Sequence, residues 1–145
     1  MERSPRFFLR FDDLFERELV MPRILNVGQC GLDHGAISRH LKKSYGAEVT
    51  KAGSSGEALV SLRAGAFDLV LVNRVFDGDG SSGMALIRAI KADPELAYLP
   101  VMLVSNYPEA QAEAGKLGAL PGFGKGDLGR GRSVAALDAA LGQMT

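Results

Sequence analysis

From Arg23 onward, short runs of apolar, mostly branched residues alternate with segments whose apolar residues recur at helical spacing and open on capping residues. That alternation predicts an α/β fold with a parallel sheet covered on both faces. Ile24 to Val27 form the first strand, and a glycine-rich turn leads into a helix capped near Asp33 with Ile37 and Leu41 on one face. Glu48 to Lys51 read as a weaker second strand. Ser54 and Glu57 make a capping box for a helix that buries Ala58, Leu59 and Leu62. Phe67 to Asn73 is a continuous apolar run, which a central strand buried on two faces requires. The loop from Asp77 to Gly83 then enters a helix with Met84, Ile87 and Ile90 inward, stopped near Asp93 and Pro94. Pro100 to Ser105 is the fourth strand. A helix from about Pro108 to Leu117, a short strand around Ala119 to Gly124 and a last helix from about Ser133 to Gln143 complete five units. Right-handed crossovers then favour a doubly wound five-stranded sheet in the order 2-1-3-4-5, a flavodoxin-like three-layer sandwich.

The alternation fills residues 22–145 and leaves 1–21 as an N-terminal extension. Residues 1–20 hold four of the seven Phe residues, and Phe8, Phe11, Phe15 and Leu19 fall at helical spacing. An amphipathic helix there would dock on the domain or pair with a second copy in a homodimer. A helix this short is marginal on its own in water, so a disordered extension is the alternative.

Composition narrows the function. Hydrophobic residues make up 46% and charged residues 23% of the 145, within the range of folded globular chains. Lys+Arg and Asp+Glu are both 17, so no net field attracts nucleic acid or an anionic membrane. No apolar run approaches a membrane span and no signal-peptide pattern opens the chain, so we expect a cytoplasmic protein. Cys30 is the single cysteine and we expect a small buried thiol.

In an open parallel sheet the strand ends converge on one crevice, which places Gly28, Gln29, Asn73, Ser105 and Lys125 around the candidate site. The runs Phe67 to Asn73, Gly83-Met84-Ala85-Leu86-Ile87, Leu99 to Ser105, Gly118-Ala119 and Lys125 together give the chain its resemblance to the receiver domain family of bacterial response regulators, over about residues 22–143. That resemblance implies phosphorelay signalling. In the family an acidic pair after the first strand binds Mg²⁺, an Asp ending the third strand accepts a phosphoryl group, a Ser or Thr ends the fourth strand, and a Lys ends the fifth.

Ser105 and Lys125 match the last two positions, whereas the acidic pair corresponds to Gly28 and Gln29 and the acceptor to Asn73. The chain therefore resembles a degenerate member, a pseudo-receiver. A neutral amide is no nucleophile toward phosphorus, and Mg²⁺ needs hard carboxylate oxygens that Gly28, Gln29 and Asn73 do not supply. We expect no cofactor, no bound metal and no enzymatic activity. Lys125, short of its usual counter-ions, is expected to bond the oxygens of Asn73 or Ser105. The stretch from Asn73 to Ser105 is two residues longer than the common family spacing. The family's switch aromatic falls on Gly122 beside Phe123, and Gly126 follows the lysine where the family usually has Pro.

Other motifs are weaker. The Gly28 to Gly35 turn could cradle a phosphate or nucleotide, but its spacing misses the dinucleotide fingerprint. Asp77-Gly78-Asp79-Gly80 lacks the closing Glu of a calcium loop. His34 and His40 lie six apart on different helix faces and read as surface residues. The function expected is phosphorylation-independent binding of a signalling protein, through a face that includes Tyr107, Phe123 and Leu128. The alternatives are an atypical phosphate-responsive regulator and a small-ligand binder using the Gly28–Gly35 turn.

Overall fold

The computed structural model describes residues 21–141. The sequence-predicted amphipathic segment at 1–20 and the end of the last helix lie outside them. Five parallel strands, β1 (Arg23–Val27), β2 (Glu48–Ala52), β3 (Leu69–Asn73), β4 (Val101–Val104) and β5 (Leu120–Phe123), form one sheet in the order β2-β1-β3-β4-β5. Five helices connect and follow them: α1 (Gly31–Tyr45), α2 (Ser55–Ala64), α3 (Gly83–Ala92), α4 (Pro108–Lys116) and α5 (Gly131–Leu141). The expected order and alternation are those found. No helix among the described residues is long and apolar enough to cross a membrane.

Side chains of each strand alternate between two cores, because successive residues of a strand point to opposite faces. Leu25, Val27, Val70, Val72, Val101 and Leu103 pack under α2, α3 and α4 with Ala58, Leu62, Ile87 and Ile90. Ile24, Leu69, Leu71, Met102 and Val104 pack under α1 and α5 with Ile37, Leu41, Leu137 and Leu141. This two-sided burial explains why β3 and β4 have no polar alternation. The capping box at α2 is present: Ser54 Oγ accepts from Glu57 N at 3.1 Å, and Glu57 Oε1 accepts from Gly53 N at 2.6 Å.

Two local expectations are corrected. Cys30 is only half-buried and serves as the N-cap of α1, its Sγ accepting from Asp33 N at 3.4 Å, so the helix opens two residues before Asp33. His34 is half-buried: Asn26, fully buried on β1, meets its Nδ1 at 3.1 Å, and Ser38 Oγ meets its Nε2 at 3.2 Å. Burial, with Lys51 nearby, holds the His34 imidazole below its ordinary pKa. His40 is also half-buried, against Tyr45.

Candidate functional site

Each strand of the sheet delivers its C-terminal residue to the same edge, and the loops beyond β1, β3 and β4 meet there. Gly28 leaves β1 with φ +82°, a conformation that a side chain disfavours. A Cβ built on it would lie 2.2 Å from the ring of Phe76, which is buried. The ring thus occupies the space into which a side chain at position 28 would project. Gly28 O accepts two hydrogen bonds, from Asp77 N at 2.9 Å and from Asn73 Nδ2 at 3.0 Å. Gln29 is folded inward and buried, and neither of its side-chain amide atoms has a partner among the described residues.

Asn73 Nδ2 also donates to Val75 O at 2.8 Å. The amide nitrogen therefore spans two backbone carbonyls and ties the β3 loop to the end of β1. A carboxylate at position 73 has no proton to donate when ionised, so this arrangement selects an amide.

Ser105, just past β4, is buried, and its Oγ accepts from Tyr107 N at 3.1 Å, closing a tight turn. Lys125 begins a short 3₁₀ turn, Lys125–Asp127, after β5. Its ammonium does not take up the expected oxygens of Asn73 or Ser105: it donates to Asp33 Oδ2 at 2.7 Å, across to the first turn of α1. A full carboxylate outcompetes neutral oxygens as a partner for an ammonium, and the Asn73 side chain already presents its NH₂ to Gly28 and Val75. The bond from Lys125 is the main reason that the Asp33 carboxyl lies below the usual carboxylate range.

Between these residues lies a crevice of about 280 Å³, bordered by Asn73, Arg74, Ser105, Asn106, Tyr107 and Lys125. Two cations border it and no carboxylate does. The Arg74 guanidinium sits 4.9 Å over the Tyr107 ring, a cation–π contact that forms part of the rim. Sequence reasoning missed Arg74, Asn106, Phe76 and Asp33 as participants. The signal available for Phe76 was a lone aromatic in a loop of Gly, Asp and Ser.

On the β5 side, Gln111 of α4 makes three bonds to the backbone. Its Nε2 donates to Leu103 O at 2.9 Å and Ser105 O at 3.0 Å, and its Oε1 accepts from Gly122 N at 3.1 Å. These bonds fall where the β4–β5 register shifts, between Met102↔Leu120 and Val104↔Phe123. Gly122 leaves no room for the family's aromatic, since a Cβ there would stand 2.1 Å from Leu103 O. Of the three residues expected on the interaction face, Tyr107 is 53% exposed and Leu128 is half-buried against the α1/α5 core. Phe123 is fully buried in that core and is withdrawn as a contact residue. The β5 register shift turns it toward α1 and α5.

No protein-family model matches the chain, and no curated protein matches its sequence. Solved structures do match. The receiver domain of NtrX from Brucella abortus superposes with a TM-score of 0.66 at 23% identity, over 82% of this chain and 98% of that one. The chemotaxis response regulator CheY4 of Vibrio cholerae gives 0.65 at 19% identity, over 87% and 100%. A response regulator receiver protein from Pseudomonas putida gives 0.59 at 25% identity, over 69% and 82%. The fold is the receiver fold. Within it, the Mg²⁺ that the resemblance implies does not fit this donor set. An NH₂ group, not a carboxylate oxygen, stands between Gly28 O and Val75 O, Phe76 fills the space beside Gly28, and Asp33 is engaged by Lys125.

Proposed function

We propose that this chain is a receiver-like signalling domain, of the two-component kind, that acts by binding a protein partner and not by accepting a phosphoryl group. The observation that carries this reading is the Asn73 amide, whose nitrogen donates to both Gly28 O and Val75 O in the place where a phosphoryl acceptor would stand. An amide there is neutral and committed, so no acyl phosphate forms, and without phosphate the state of the domain is set by what it contacts. The surface flanked by α4, β5 and α5 supports the contact role. It carries an open apolar groove of about 840 Å³ that includes Leu120, Pro121 and the alanines of α5.

The test is incubation with acetyl phosphate and Mg²⁺, followed by intact mass and base-lability measurements. We expect no added phosphate and no spectral change with beryllofluoride. A stoichiometric, base-labile phosphate on the chain would overturn the proposal. A second reading is favoured by the crevice itself, where Arg74 and Lys125 lie with Ser105 and Asn106: reversible binding of a free oxyanion. Thermal-shift titration with inorganic phosphate and sulfate separates it from the first, which expects no stabilisation beyond that of chloride at equal ionic strength.

A further inference from the structure

Arg74, Val75 and Tyr107 border the cationic crevice and also border a second, larger cavity of about 740 Å³ between α3 and α4. That volume lies within the range of small-molecule sites, roughly 300–1,000 Å³. The Arg74–Tyr107 cation–π pair stands at the junction of the two. At the crevice end the groups are donors. Lys125 gives one of its three ammonium protons to Asp33 Oδ2 and keeps two. Ser105 Oγ accepts from Tyr107 N, and its own proton has no acceptor among the described residues. Between the helices the lining includes apolar surface from Val75, which is 43% exposed, with Met84, Ala85 and Ala110. The two helix walls carry opposite charges: Arg88 on α3, and on α4 Glu109 and Glu113, one turn apart on the same face. All three are exposed, and none has an ion pair or hydrogen bond among the described residues.

From this order of groups we infer that the two cavities together bind a guanine nucleotide, guanosine monophosphate (GMP), with its phosphate in the crevice and its base between α3 and α4. The base is selected by its edges. A carboxylate accepts two parallel bonds from guanine N1–H and N2–H₂, and a guanidinium donates two to O6 and N7. Guanine alone of the four common bases carries both edges on one ring, and here a carboxylate wall stands opposite a guanidinium. Adenine sets an N6–H₂ donor beside N7 and so turns a donor toward Arg88. The phosphate is selected by Arg74 and Lys125 at a crevice that no carboxylate borders. Charge also fixes the direction of the ligand, because a phosphate at the α4 wall would meet Glu109 and Glu113. This assignment rests on the oxyanion reading of the crevice given above and names the molecule that carries the oxyanion.

The experiment titrates the full chain with GMP, inosine monophosphate, AMP and inorganic phosphate at constant ionic strength, read by calorimetry and amide spectra. We expect GMP to bind about tenfold or more tighter than AMP. Inosine monophosphate, which lacks the 2-amino group, should fall between them, and phosphate alone should bind more weakly than GMP. Resonance shifts should reach Val75, Arg88 and Glu113 with GMP and stay near Ser105 to Tyr107 with phosphate. A Glu109→Ala, Glu113→Ala double variant changes two exposed positions. It should lose the preference for GMP over AMP while phosphate binding is not weakened. Equal affinity for GMP and AMP overturns the inference, as does a preference that survives in the double variant. GMP binding no tighter than phosphate overturns it too and leaves the free-oxyanion reading standing, whereas binding of neither removes both.

Discussion

Replacing Asn73 by Asp changes one atom of the crevice from a donor to an acceptor. The amide nitrogen donates at 3.0 Å to Gly28 O and at 2.8 Å to Val75 O, and the variant carboxylate makes neither bond. Each lost bond is worth about 0.5–1.5 kcal/mol net. Gly28 O keeps its bond from Asp77 N and the Val75 bond lies in an exposed setting, so neither carbonyl is left fully orphaned. The expected loss is therefore about 1–3 kcal/mol at neutral pH, a fall in the urea midpoint on the order of 1 M. The negative charge also faces two carbonyl oxygens, which raises the folded-state pKa of the new carboxyl above its unfolded value. A group with a raised carboxylate pKa destabilises fully above that pKa, and the penalty is relieved as pH falls through the raised folded value toward the ordinary Asp value of about 3.9, below which it is gone. The assay is urea unfolding of both proteins across the acid range, with and without Mg²⁺, followed by acetyl phosphate treatment of the variant. We expect the stability gap to narrow in acid and no acyl phosphate to form, because Gly28 and Gln29 still supply no carboxylate. A variant as stable as the parent at neutral pH would refute the reasoning, as would one that Mg²⁺ stabilises strongly.

Three further outcomes follow from the same geometry. Gln111→Ala removes three backbone partners at the β4–β5 register shift, and we expect a loss of about 2–4 kcal/mol with faster hydrogen exchange at Gly122. In Lys125→Met, the Asp33 carboxyl should return toward its ordinary range, as read by carboxyl NMR titration. Because both partners are about one-third exposed, the stability lost at neutral pH should not exceed about 1 kcal/mol. Asp33 is lowered in the folded state, so its contribution is present above the unfolded pKa and lost as pH falls through the folded value, where parent and variant should converge. Cys30→Ser replaces a long 3.4 Å sulfur cap by a better acceptor, and urea unfolding should show a gain of about 0.5–1 kcal/mol.

The sheet was legible because its information is local. Val70 to Val72 and Val101 to Val104 admit only strands covered on both faces, and the capping pair Ser54 and Glu57 announces α2 without reference to the rest of the fold. The positions of Gly28, Asn73, Ser105 and Lys125 around one crevice follow from the strand ends. What each side chain does there was less accessible. Lys125 and Asp33 are 92 residues apart, and nothing in either neighbourhood announces the pair. Phe123 was misplaced because β5 is four residues with a Pro and a Gly, too short and irregular for an alternation to say which way a side chain points. Phe76 was overlooked because the polar loop around it reads as solvent-exposed, whereas the ring fills the space beside Gly28.

Gln111 touches two places at once. Its side chain borders the apolar groove, and the same amide donates to the carbonyl of Ser105, whose other atoms border the cationic crevice. The two cavities thus share a single fastening. Whatever shifts that amide from the groove side loosens the carbonyl on the crevice side, and an anion that stiffened the Ser105 turn would tighten the groove by the same free energy. The backbone resonances of the Ser105 turn are then a readout of groove occupancy, reporting from just before the N-terminus of α4 on an event at the groove.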